Sequence, residues 1–126
     1  IEQFGGDANV MPLACPGLMD FVEAGNINSP ELYGFLRDLL EPYRENLDAV
    51  VLGCTHYPFV RKVIEQIVGD QVEIFDGGAG TAREMRRRLA ADGLLREATG
   101  RKGKIEFHNS DLTKEREVLF EKLLNY

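Results

Sequence analysis

The stretch "AVVLGCTHYPFVRKVIEQIVGDQVEIF", Ala49 to Phe75, decides the fold. It opens with a continuous apolar run, "AVVLG" (Ala49 to Gly53), too short for a buried helix. Such a run predicts a central parallel strand covered on both faces. Beyond Pro58, Phe59, Val60, Val63, Ile64 and Ile67 fall on one helical stripe, and Gly69 supplies the C-terminal stop. "VEIF", Val72 to Phe75, then predicts a second strand. Strand, helix, strand at this spacing is a βαβ unit.

Outward from that unit the alternation continues. "ANVMPLA", Ala8 to Ala14, reads as a short strand. Pro16 suits the first turn of a helix through Leu18, Phe21 and Val22, stopped at Gly25. Ser29-Pro30 is a cap with proline at the first helical position. Leu32, Phe35, Leu36, Leu39 and Leu40 give that helix one buried stripe, and Pro42 ends or kinks it. "DGGAG" (Asp76 to Gly80) predicts a tight turn before a helix over 81–92 that buries Ala82, Met85 and Leu89. "KIEFH", Lys104 to His108, alternates like a strand, with His108 as an edge histidine. Ser110 or Asp111 caps a last helix burying Leu112, Leu119, Leu123 and Leu124. The whole reads as an α/β chain with a mainly parallel sheet. In such sheets ligands bind beyond the carboxyl ends of the strands. That rule points to the loops Cys15 to Gly17, Cys54 to Pro58 and Asp76 to Gly80.

Composition narrows the class. The 126 residues, 44% hydrophobic and 29% charged, suffice for one core. No apolar run reaches membrane-spanning length and no signal peptide opens the chain, so the expectation is a cytoplasmic protein without membrane contact. A start at Ile1, without methionine, suggests processing or a piece of a longer protein. The net charge of −6 argues against a general nucleic-acid binder. Basic residues nonetheless gather between Arg83 and Lys104, as a solvated helix face or an anion patch.

Cys54 sits where the apolar run stops. Cys15 and Cys54 allow one disulfide at most, and free thiols are the default in a reducing compartment. His56 and His108 would complete a formal Cys2His2 set, but the spacing fits no zinc finger, so no metal is expected. Cys54 is either a buried space-filler or a reactive thiol. The strand end and the coming helix start supply unpaired N–H groups and the positive end of a dipole, which favour a thiolate. His56, as imidazolium, would lower the thiol's pKa further. Thr55 offers a hydroxyl and an N–H to an anion. "DGGAG" lacks the spacing of a nucleotide loop, so Asp76 is read as shaping the turn or capping the next helix.

At this point the residues resemble a family. "LGCTHYP", Leu52 to Pro58, resembles the second catalytic-cysteine motif of bacterial glutamate racemases, in the aspartate/glutamate racemase superfamily. "PLACPGLMDFVEAG" (Pro12 to Gly25), "IFDGGAGTA" (Ile74 to Ala82) and "KIEFHNSDLTKEREVLFEKLL" (Lys104 to Leu124) are similar to further segments of that family. The resemblance implies a flavodoxin-like, doubly wound, mainly parallel sheet, present here only in part. It implies glutamate as substrate and proton transfer between two cysteines at the α-carbon, without cofactor or metal. Cys54 would be one base, His56 its assistant and a substrate ligand with Thr55, and Glu23 an auxiliary acid. The family's first-cysteine and Asp-Ser-Gly motifs are not matched, and Cys15 does not fit the former. The chain therefore resembles the C-terminal portion of a racemase. Residues 1–80 would belong to the second domain, and residues 81–126 would return to complete a first domain whose N-terminal half is the missing partner. Such a piece alone would be inactive, and its exposed apolar residues would favour self-association, including a homodimer. An aspartate or hydantoin racemase and a non-catalytic anion-binding module are the rival readings.

Overall fold

The computed structural model describes residues 6–96, 100 and 103–125. In chain order it forms helix α1 (Leu18–Glu23), helix α2 (Pro30–Leu40), a 3-10 segment (Glu41–Asn46) and strand β1 (Ala49–Val51). A second 3-10 segment (Tyr57–Val60) leads into helix α3 (Arg61–Val68), strand β2 (Glu73–Phe75) and helices α4 (Gly78–Ala91) and α5 (Lys114–Leu124). The expected βαβ unit is present. β1 and β2 pair in parallel, with Ala49 opposite Glu73, Val50 opposite Ile74 and Val51 opposite Phe75. Leu52 N–H to Phe75 O (2.8 Å) and Glu73 N–H to Asp48 O (3.1 Å) extend the ladder.

Local chemistry explains the helix ends. Ser29 Oγ accepts the Leu32 N–H at 3.1 Å, satisfying one orphan donor at the start of α2. Pro42 does not kink α2 but coincides with its tightening into the 3-10 segment. Gly69 closes α3 with φ of 87°, a backbone conformation open to glycine. Leu32, Leu36 and Leu40 of α2 meet Val63, Ile64, Ile67 and Val68 of α3 in one buried cluster. Leu18, Val22, Ile27, Leu52, Val60 and Ile74 join it, so the core lies wholly between Leu18 and Ile74 among the described residues.

Several expectations fail. Residues 8–14 and 104–108 form no strand; both run as irregular chain. Val10, Met11 and Ile105 are exposed there. A strand's backbone groups need a neighbouring strand, and none lies beside these segments among the described residues. His108 is consequently no edge histidine: it is exposed, 3.6 Å from Glu106. β1 is not covered on both faces. Val50 and Ile74 face the core, whereas Val51 is 74% exposed and Phe75 50%. In α4, Ala82 and Met85 are exposed, and in α5 Leu124 is exposed while Leu119 and Leu123 are half-buried. Leu112 is exposed as well, and Thr113, not Ser110 or Asp111, caps α5 by accepting the Arg116 N–H at 3.3 Å. α5 still touches the core domain: Leu123 packs against it and Lys122 Nζ donates to Gly25 O at 2.6 Å. Among the described residues no helix is long and apolar enough to cross a membrane.

Candidate active site around Cys54

β1 ends, and the chain turns through Gly53, Cys54, Thr55 and His56 before the 3-10 segment begins. Tyr57 N–H donates to Cys54 O (3.2 Å) and Phe59 N–H to His56 O (3.2 Å), which fixes the turn. Pro58 suits this position because the first helical residues have no intrahelical acceptor for an N–H. The loop thus holds Cys54 at the mouth of a helical start, with α1 alongside.

Three of the residues singled out in the sequence come together in a line. His56 Nδ1 lies 3.8 Å from Cys54 Sγ, and His56 Nε2 lies 2.8 Å from Glu23 Oε1. Glu23 arrives from the last turn of α1, 33 residues away along the chain. Cys54 and His56 are half-buried; Thr55 is exposed beside them and Glu23 remains half open to solvent. The Cys54 thiol is held below its ordinary pKa, first by the His56 backbone N–H and then by the His56 ring. His56 is pushed up, chiefly by its bond to the Glu23 carboxylate and next by Cys54. The Glu23 carboxylate thus favours the charged form of His56, and the His56 ring favours the charged form of Cys54. The thiolate so favoured is the form of a cysteine that acts as a base or a nucleophile.

Cys15 is not paired with Cys54; both thiols are free. Cys15 packs half-buried against the core, and burial raises its pKa, so it stays a neutral thiol. Among the described residues no three His, Cys, Asp or Glu side chains are grouped to hold a metal ion. Asp76 serves the fold: Oδ1 accepts the Gly78 N–H at 2.8 Å to open α4, and Oδ2 accepts from Arg61 at 3.0 Å. Arg61 also donates to Ile74 O at 2.8 Å, bracing α3 against the end of β2. An open groove along α4, lined by Thr81, Met85 and Leu89, shares no residue with the Cys54 loop. In the basic cluster on α4, Glu84 bonds both Arg87 and Arg88, while Arg101 and Lys102 lie outside the described residues. Tyr57 is the one residue of the loop that the sequence reading leaves without a role. The signal was its place directly after the Cys-Thr-His triplet.

Comparison with known proteins shows what the chain is similar to. No family model matches the chain. The glutamate racemase of Clostridium perfringens (strain SM101) is 46% identical over 111 residues, which span 87% of this chain and 42% of that protein. The crystal structure of glutamate racemase isoform RacE1 from Bacillus anthracis superposes with a TM-score of 0.66 at 28% identity, over 76% of this chain and 36% of that one. Glutamate racemase from Thermus thermophilus, solved in complex with β-chloro-D-alanine, gives a TM-score of 0.60 at 38% identity, over 67% of this chain and 32% of that one. The chain is therefore homologous to glutamate racemases, has their α/β fold in part, and spans less than half the length of the relatives it matches.

Proposed function

We propose that this chain, a homologue of part of the glutamate racemases, carries one of two thiols that interconvert L- and D-glutamate without a cofactor. The observation that supports the reading most is the line from Glu23 through His56 to Cys54 at a strand end. In this reading the Cys54 thiolate takes the α-proton. The S–H bond forms, the Cα–H bond breaks, and its electron pair passes onto the α-carbon and its carboxylate. A thiol on the opposite face then delivers a proton to the α-carbon, which inverts it. In the reverse direction Cys54 gives its proton back. Both directions need a weakly acidic C–H to ionise, so the developing charge requires fixed donors nearby. The N–H groups at the helical start and the exposed Thr55 hydroxyl are suited to the substrate carboxylates.

The opposite thiol is not Cys15, which packs half-buried against the core and lies outside the family's first-cysteine motif. It belongs to a part of the protein beyond these 126 residues. Residues 1–80 form the domain that carries Cys54, and residues 81–126 return toward the other domain. The exposed apolar residues of α4 and α5, such as Met85, Val118 and Leu124, support that division. The D-glutamate product serves peptidoglycan synthesis in the cytoplasm. Two measurements test the reading. In the intact protein, Cys54→Ala is expected to lower racemisation by about 10²–10⁴-fold. Unchanged turnover would remove Cys54 from the mechanism. The isolated chain is expected not to invert glutamate in deuterated water, and robust inversion by it would overturn the two-thiol assignment.

A further inference from the structure

We infer that Arg61 is a positioning residue for Cys54: its guanidinium clamps the start of α3 to the end of β2 and so fixes the loop that carries the thiol. That loop runs between two anchors on consecutive carbonyls of β2. Before the loop, the Leu52 N–H donates to Phe75 O at 2.8 Å. After it, Arg61 Nη2 donates to Ile74 O at 2.8 Å. Leu52 and Val60, at the two ends of the loop, are both buried in the core cluster. Their burial sets how far apart the ends stand but leaves α3 free to rotate about its axis. Arg61 removes that freedom, because a planar fork meets its partners in one orientation.

Each of the three guanidinium nitrogens has a partner. Beside the bond to Ile74 O, Nη1 donates to Asp76 Oδ2 at 3.0 Å and Nε to Glu65 Oε1 at 2.8 Å. Asp76 is itself held, since its Oδ1 accepts the Gly78 N–H at 2.8 Å. Arg61 therefore joins the start of α3, the end of β2 and the start of α4. Glu65 lies one turn on along α3, so that pair ties nothing to the sheet. The Val60 N-cap of α3 makes no side-chain hydrogen bond, which leaves the orientation of the first turn to the Arg61 clamp. Upstream of that turn, the Phe59 N–H donates to His56 O and the Tyr57 N–H to Cys54 O, each at 3.2 Å. A shift of α3 passes through these bonds to Cys54 and to the His56 ring, whose Nδ1 lies 3.8 Å from Sγ. Arg61 thus acts through the alignment of groups around the thiol, as the supporting shell of a site does.

The inference rests on reading Cys54 as a reactive thiol, and the test separates the two. The rate of Cys54 alkylation by iodoacetamide is followed against pH on the 126-residue chain, with the modified peptide identified by mass spectrometry and the fold checked by circular dichroism. A parent chain that titrates as an ordinary thiol overturns the reading of Cys54 and the inference with it. With a parent that titrates low, the variants decide the inference alone. Arg61→Met keeps the stem and removes the fork. It is expected to raise the midpoint and slow alkylation at pH 7 about threefold, the effect of one weakened hydrogen bond to the thiolate. Arg61→Lys keeps the charge without the fork and is expected to stay slowed; as the milder change, it decides the matter if Arg61→Met does not fold. Glu65→Gln, which cuts only the contact within α3, is expected to match the parent. Ser29→Ala, which weakens the fold at α2, is likewise expected to leave the Cys54 midpoint in place. A parent-like midpoint in Arg61→Met would sink the inference. Full recovery in Arg61→Lys would do the same by assigning the effect to charge alone. An equal rise in Glu65→Gln or Ser29→Ala would also overturn it, because the clamp on β2 is intact in both.

Discussion

At the scale of single residues, the His56 ring connects a carboxylate to a thiol. Its Nε2 holds Glu23 at 2.8 Å and its Nδ1 faces Cys54 at 3.8 Å. The longer contact matters for the chemistry, because a sulfur at that distance is polarised yet free to accept a proton from elsewhere. The thiol is held below its ordinary value of 9.0, so half-maximal alkylation of Cys54 is expected below that pH. His56→Ala is expected to move the midpoint upward, and a midpoint that stays put would assign the effect to backbone N–H groups alone. His56 itself links the site to stability. Its folded-state pKa is raised above 6.5, so its contribution is full below that value and lost as pH rises through the folded pKa. His56→Gln is accordingly expected to lower the urea midpoint more at pH 5.5 than at pH 8.5. Equal losses at the two pH values would mean that the Glu23 contact does not stabilise the protonated ring. The spacing of Cys54 and His56 was legible in the sequence because both lie in one loop. Glu23 was marked by family resemblance alone; its residue type and helix-end position fit an exposed carboxylate equally well.

At the scale of elements, α2 and α3 carry the core and show where local sequence signals suffice. Ser29-Pro30 announces the start of α2, and Ser29 Oγ does accept the Leu32 N–H at 3.1 Å. Ser29→Ala is expected to cost about 1 kcal/mol in chemical denaturation, while Ser29→Asp holds near the parent. Leu32, fully buried in the core cluster, is expected to cost about 2–5 kcal/mol when replaced by alanine. A loss under half of that range would mean that the two helices close over the cavity. The strands tell a different story. β1 and β2 were legible because each finds the other as a parallel partner. Residues 8–14 and 104–108 have strand-like patterns of the same quality. They stay irregular because alternation describes a face, and a face becomes a strand only when a neighbour accepts its backbone hydrogen bonds.

At the scale of the whole molecule, the core is one-sided. The open face of the sheet shows Val51 at 74% exposure and Phe75 at 50%, side by side in register. Met85, Leu94, Ile105, Val118 and Leu124 add further exposed apolar surface after the second strand. Surface of this kind promotes association. Light scattering is therefore expected to show concentration-dependent self-association of the chain, reduced by Val51→Lys, whereas a monomer at every concentration would show that the open face is tolerated in water. Local order was written in the sequence: helix caps, the apolar stripes of α2 and α3, the βαβ spacing and a thiol placed at a strand end. These depend on residues within a turn or two of one another, whose hydrogen bonds and periodicity are fixed by covalent geometry. Tertiary structure alone decided that one face of the sheet stays open, that α4 and α5 leave apolar residues exposed, and that Glu23 reaches His56. Those outcomes turn on which surfaces are available to cover which, and pairing across 33 residues has no local pattern to announce it.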